Sequence, residues 1–303
     1  MRTIITGGTG LIGSHLARSL AADGNEVVLL SRQPEKNSGD LSQRVWIEKW
    51  DGRTAEGWGG LVEDAEVIIN LAGENLAAGR WTDQRKKSIL ESRVNAGHAV
   101  VQAVKQAAQK PRLVIQSSAI GYYGNRPEDP ATEQTPPAGD FLARVCQAWE
   151  ESSQEVESLG VRRVIVRTGV ILSTEGGPLP RMLLPMRLFV GGPLGDGRQW
   201  LSWIHLADEI EAIRFLIDHP STSGSFNLNA PNPLRNREFM STLGKVINRP
   251  SLIPAPAFAI RLLFGEMATI VLDGQKVIPS RLQQLGYSFK FKDAESALRD
   301  LLI

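Results

Sequence analysis

The sequence predicts an α/β fold built on a doubly wound parallel sheet, followed by a smaller mixed lobe. Short runs rich in β-branched residues alternate with longer helical patterns through the first two-thirds of the chain, the pattern of repeated strand–helix–strand units. A glycine cluster stands between the first strand and the first helix, and from about residue 183 the alternation loosens. Residues 3–6, 26–30, 67–71, 112–116 and 163–167 read as strands, and residues 11–22, 84–109 and 141–159 carry apolar side chains at helical spacing. The Pro- and Gly-rich stretches 127–139 and 176–180 read as loops. Later, 207–218, 236–247 and 256–272 read as helices around a short strand at 225–228. The expected division is a nucleotide-binding domain over 1–180, with strand contributions from later residues, and a smaller lobe over 181–303 whose own segment starts near 250.

Composition narrows the classes of function. An apolar share of 42% and a charged share of 22% are those of an ordinary globular chain. Thirty-four basic residues against thirty-three acidic ones leave no electrostatic footprint for nucleic acid or an anionic membrane, so small-molecule partners are expected. Cys146 is the only cysteine, and His15, His98, His205 and His219 are scattered; neither an intramolecular disulfide nor a metal site is expected. Met1-Arg2 runs straight into the first strand, without a leader pattern. The apolar stretch 258–272 is interrupted by Arg261, Gly265 and Glu266, falls short of the ~20 residues a membrane span needs, and reads as a buried or groove-lining helix. A cytoplasmic protein, monomeric or homodimeric, is the expectation.

Gly7-Gly8-Thr9-Gly10-Leu11-Ile12-Gly13 follows the first strand and opens the first helix. Missing Cβ atoms allow a tight turn and let the backbone approach a pyrophosphate, whose charge meets free N–H groups and the helix dipole. Gly7, Thr9, Gly10, Leu11, Ile12 and Gly13 are therefore candidate cofactor contacts. The second strand ends in Ser31-Arg32, where an NAD site usually carries an acid for the ribose hydroxyls. Arg32 can instead pair with a 2′-phosphate, with Ser31 adding a hydrogen bond, so NADP(H) is the expected cofactor. Leu71, Ala72 and Gly73 close the strand whose carboxyl end faces the ligand, and Arg93 is in reach of the pyrophosphate on the next helix.

Thr6-Gly-Gly-Thr-Gly-Leu-Ile-Gly13, Asn70-Leu-Ala-Gly73, Ser117-Ser-Ala-Ile-Gly-Tyr-Tyr-Gly124 and Trp203-Ile-His-Leu-Ala-Asp208 resemble the extended, NAD-dependent-epimerase-like short-chain dehydrogenases. Phe141-Leu-Ala-Arg-Val-Cys-Gln-Ala-Trp-Glu150 and Leu272-Asp-Gly-Gln-Lys-Val-Ile-Pro-Ser-Arg281 are similar to an atypical branch of that superfamily, the epimerase-family proteins described as cell-division-inhibitor-like nucleoside-diphosphate-sugar epimerases. The resemblance covers essentially the whole chain. It implies a Rossmann-like doubly wound parallel sheet with a smaller mixed C-terminal lobe, bound NADP(H), and cofactor contacts that include Ser117 and Ile171.

Catalysis in that superfamily uses a Tyr-x-x-x-Lys pair beyond a Ser or Thr, the lysine lowering the tyrosine pKa for proton transfer beside the nicotinamide. Ser118 matches the first member. The expected helix reads Phe141-x-x-x-Val145, without Tyr or Lys, so Tyr122 and Tyr123, just after Ser118, are the substitutes, with Cys146 and Glu150 near the helix. Two functions follow: an NADP(H)-dependent oxidoreductase or epimerase-like enzyme for a small polar or nucleotide-linked substrate, or a non-catalytic NADP(H)-binding sensor.

Overall fold

The computed structural model describes residues 1–37 and 43–303. In chain order its strands are β1 (Arg2–Thr6), β2 (Glu26–Ser31), β3 (Val45–Lys49), β4 (Val67–Asn70), β5 (Leu113–Ala119), β6 (Arg126–Ala131), β7 (Arg162–Thr168), β8 (Val170–Leu172), β9 (Trp200–Leu201), β10 (Trp203–His205), β11 (Gly224–Leu228), β12 (Leu234–Arg235) and β13 (Gln275–Val277). Its helices are α1 (Leu11–Ala22), α2 (Asp83–Gln106), α3 (Phe141–Glu151), α4 (Leu179–Arg187), α5 (Leu206–Asp218), α6 (Asn236–Val246), α7 (Ala257–Phe264), α8 (Thr269–Leu272), α9 (Ser280–Gln284) and α10 (Ala294–Leu302).

Seven strands form one sheet in the order β11-β7-β5-β4-β1-β2-β3, every neighbouring pair parallel. Parallel neighbours need helical crossovers that cover both faces, so the strands are apolar on both sides; all of β4 is buried. The pleat sorts residues by parity. Ile5, Leu29 and Ile69 pack with Leu16 of α1 and Ile213 of α5, whereas Ile4, Leu30 and Ile68 pack with Val100 and Val104 of α2 on the opposite face. Each such burial contributes roughly 1.5–3 kcal/mol. The winding reverses between β1 and β4, which opens a crevice at their carboxyl ends.

The later lobe has its own core, in which Leu183, Trp203, Phe239, Leu243, Phe291 and Leu298 meet. It is also laced into the sheet domain, because β11 is an edge strand of the main sheet and β13 pairs in parallel with β6. No helix among the described residues is long and apolar enough to cross a membrane.

Besides elements that went unread, among them β3, α9 and α10, the structure differs from the sequence reading as follows. The expected loop 127–139 begins within strand β6; Pro127 and Pro130 are tolerated because β6 has a single partner. The expected helix 141–159 ends at Glu151 and resumes only as the 3-10 turn Gln154–Leu159. The expected helix 256–272 divides at Gly265, whose φ of +60° ends α7 before α8 begins. Of the two alternatives for 258–272, α7 is not buried, with Phe258 and Leu262 75% and 77% exposed, while Thr269, Ile270 and Val271 line a cavity.

Candidate functional site

A buried polar ladder fixes the carboxyl edge of the sheet. Thr6 Oγ1 donates to Asn70 Oδ1 (2.6 Å), Asn70 Nδ2 to Gln116 Oε1 (2.9 Å), and Gln116 Nε2 to the Ser117 carbonyl (2.8 Å). The ends of β1, β4 and β5 are thereby held in register, and the loops leaving them start from fixed points.

The loop after β1 requires glycine twice over. Gly7 has φ +65°, and a Cβ there would lie 2.9 Å from the carbonyl carbon of Leu71; a Cβ on Gly13 would lie 2.6 Å from the Cα of Gly8. Both close approaches are backbone against backbone, so neither can relax by moving a side chain. Gly10 caps α1 without a side-chain acceptor, which leaves first-turn N–H groups for an anionic oxygen.

A cavity of about 470 Å³ opens over this turn, with Gly7, Thr9 and Gly10 in its wall together with Ser31, Arg32, Leu71, Ala72 and Gly73. The structure thus brings together eight of the fourteen candidate cofactor contacts that the sequence singles out. Ser31 is buried and its Oγ accepts from the Gln33 N–H (3.2 Å). Arg32 is exposed, its stem against Gly52, where a Cβ would lie 3.4 Å from Arg32 Cδ. Trp50, Asp51 and Arg53 also line the cavity, and sequence reasoning missed them because β3 itself went unread. The Asp51-Gly52 turn signal after a short apolar run was the available clue. Asp51 accepts from the N–H groups of Arg53 (2.7 Å) and Thr54 (2.9 Å) in its own turn, and two arginines, Arg32 and Arg53, line the cavity beside the end of β2, the second close to the Asp51 carboxylate.

Other expected contacts lie elsewhere. Leu11 and Ile12 open α1 with their side chains packed on the core and their N–H groups in its first turn, Ser117 is buried in β5, and Ile171 pairs with Ile204 between β8 and β10. Arg93 lines a second cavity of about 360 Å³. The walls of the two cavities touch where Gly73 meets Arg93, since a Cβ on Gly73 would lie 3.1 Å from Arg93 Cζ. Arg93 does not reach out to the glycine turn; its guanidinium donates to the carbonyls of Ile89 (3.0 Å) and Glu74 (3.1 Å) and stacks 4.9 Å over Trp149. Burial pushes its pKa down to about 10.

Ser118, Tyr122 and Tyr123 meet in one network, but around Arg167. Ser118 Oγ donates to Glu150 Oε1 (2.7 Å), and Glu150 takes two hydrogen bonds from Arg167, Nε and Nη2 each at 2.8 Å. Arg167 Nη1 donates to the Tyr123 hydroxyl (3.0 Å), which donates to Asn227 Oδ1 (2.6 Å), and Arg167 Cζ lies 3.5 Å over the Tyr122 ring. Tyr123 is fully buried, and burial pushes its pKa up to about 12. Its hydroxyl holds this cluster together and does not enter the wall of either cavity. Glu150 and Cys146 of α3 face Ser118, and Leu142 one turn earlier packs on Gly121 just beyond β5, whereas Val145 packs with Trp81 and Ile89. Burial pushes the Cys146 thiol up to about 11.

A parallel sheet wound in both directions, a glycine cradle at its switch point and an adjoining cavity roofed by a second lobe define a dinucleotide-fold protein with room for a second small molecule. The chain belongs to the NAD dependent epimerase/dehydratase family, whose profile matches residues 3–229; a domain of unknown function, DUF1731, matches residues 255–301. An epimerase family protein of Staphylococcus aureus (strain N315) is 40% identical over 303 residues, 99% of this chain and 98% of the relative. The crystal structure of human epimerase family protein SDR39U1 (isoform2) with NADPH is 33% identical, with a TM-score of 0.89, and 99% of each chain is covered. The UDP-glucose 4-epimerase of Thermus thermophilus, solved with NAD, shares the fold at 20% identity and a TM-score of 0.78 over 99% of this chain and 97% of that one.

Proposed function

We propose that the protein binds NADP(H) in the cavity over the glycine turn and acts as an oxidoreductase or epimerase-like enzyme on a small molecule in the second cavity. The observation that carries this reading is the packing of Gly73, in the wall of the first cavity, against Arg93, in the wall of the second, which would set a second reactant beside the inner end of a bound dinucleotide. The cradle fits the cofactor, because Gly7 and Gly13 let the turn and the start of α1 close on the chain's own backbone, and Gly10, in the cavity wall and with nothing nearer to an added Cβ than the Gly7 carbonyl at 3.3 Å, leaves room for close backbone approach to a pyrophosphate. A bound nicotinamide supplies a hydride, or accepts one. The N-terminus of α1 binds the pyrophosphate, and Arg32 with Arg53 holds the 2′-phosphate. The NADPH in the human relative's structure supports the same choice of cofactor. Ser118 is a positioning residue held by Glu150, and the cavity wall supplies carboxyl groups at Asp140 and Asp273 for proton traffic.

A second reading, a sensor that binds NADP(H) without turnover, is favoured by the commitment of Ser118 to Glu150 and by Cys146 on the α3 face toward it. Titration with NADPH and NADH, after removal of co-purified nucleotide, tests what both readings share; NADPH-selective binding is expected, and no binding of either overturns them. Single-turnover oxidation of NADPH by a bound carbonyl compound separates enzyme from sensor.

A further inference from the structure

We propose that the second cavity takes a compact, predominantly apolar and uncharged carbonyl compound or its alcohol, and excludes nucleoside diphosphates and their sugar conjugates. This deepens the reading above and rests on it. In the forward direction a hydride from reduced nicotinamide enters the carbonyl carbon and one proton enters its oxygen, leaving the alcohol and the oxidised dinucleotide.

The cavity surface is built mainly from rings and aliphatic chains, among them Trp81, Phe141, Trp149, Leu142 and Met182. Most of its hydroxyl and amide side chains are already engaged inside the protein, and the Trp149 indole N–H, buried without a partner among the described residues, is a donor that a single carbonyl oxygen can meet. The Gln199 amide donates to the carbonyls of Leu194 (3.0 Å) and Val271 (2.8 Å). Ser202 Oγ donates to the Gln275 carbonyl (2.8 Å) and accepts from the Val277 N–H (2.9 Å). Thr168 donates to Glu209 (2.7 Å), and the Gln275 amide to the Ile120 carbonyl (2.9 Å). A sugar entering this space gives up the water bonds of several hydroxyls and finds few replacements, whereas a ring bearing one carbonyl gives up little.

Charge points the same way. Arg93 is the only cationic side chain in the described wall, and it is tied to two carbonyls and the Trp149 ring, while Asp140, Asp273 and Glu266 line the same cavity. Glu266 pairs with Lys86, and Asp140 caps α3 through the Ala143 N–H (2.9 Å); Asp273 faces Arg261 and Asp140. A diphosphate would bring two negative charges against these carboxylates with no free cation to meet them. The volume of about 360 Å³ lies near the lower end of the ~300–1,000 Å³ span of small-molecule sites, which suits a molecule of one or two rings.

The test is calorimetric titration of the purified protein, with and without saturating NADPH, using 1-indanone, 2-naphthaldehyde and cyclohexanone as neutral probes and UDP-glucose as the charged one. At least one neutral probe is expected to bind tenfold or more tightly than UDP-glucose, and to lose at least tenfold in Leu142→Trp or Met182→Trp, whichever retains the parent's circular dichroism. UDP-glucose binding as tightly as every neutral probe, or no binding by any neutral probe, overturns the proposal. Failure of NADPH itself to bind overturns the cofactor reading instead, and the arm without NADPH still judges the cavity.

Discussion

At the scale of single residues, the choice between two dinucleotides rests on Arg32. The side chain is exposed and lies against Gly52, across from Arg53, so reversing its charge changes the ligand's surroundings without disturbing the core. Arg32→Asp is expected to weaken NADPH by about 10- to 100-fold, the worth of one charge-assisted hydrogen bond, while NADH binding holds or improves; equal losses for both cofactors would remove the 2′-phosphate assignment. Tyr123 leads to the opposite kind of prediction. Tyr123→Phe leaves Asn227 Oδ1 and Arg167 Nη1 each short of a buried partner, at a cost of about 1–3 kcal/mol. Chemical denaturation should register that loss, and NADPH affinity should not change. A fall in affinity without a fall in stability would return Tyr123 to the set of residues that touch ligand.

At the scale of elements, α5 carries two buried groups whose titrations oppose each other. His205 caps the helix, its Nδ1 accepting from the Ala207 N–H (3.1 Å), and burial pushes its pKa from 6.5 down to about 4. The folded chain therefore binds fewer protons there than the unfolded one, and stability falls as pH drops from about 6.5 toward 4. One turn on, burial pushes the Glu209 carboxyl from 4.5 up to about 8, with Thr168 as its one hydrogen-bond partner among the described residues. The folded chain keeps a proton that the unfolded chain sheds, so stability falls as pH rises from about 4.5 to 8. Glu209→Gln removes only the second slope. Thermal melts should show the variant ahead of the parent at pH 8.5, by on the order of a few kcal/mol, and level with it at pH 5; a constant difference across that range would mean that Glu209 is ionised in the folded protein.

For the whole molecule, what the sequence discloses and what it hides divide by the range of the interactions involved. The glycine turn, Ser31-Arg32 and the strands at β1, β2, β4, β5 and β7 are legible because apolar runs and missing Cβ atoms act within a few residues. The partnership of β6 with β13, about 150 residues apart in the chain, the second cavity and the Ser118–Glu150–Arg167 network are not, since each depends on segments that meet only after folding. Those long-range contacts bear on cooperativity. β11 completes the main sheet from beyond residue 180, β13 pairs with β6, and Arg281 of α9 donates to the Ser225 carbonyl in β11 (2.7 Å). Neither lobe can open without breaking the backbone pairing of the other, so scanning calorimetry should give one transition in spite of the two separate cores. NADPH at a hundred times its dissociation constant adds about 2.7 kcal/mol to the native state, roughly 4 °C in the midpoint for a chain of this length. That shift should move the whole transition. Two resolved transitions, with NADPH raising only one of them, would show instead that the later lobe folds apart from the sheet that its strands complete.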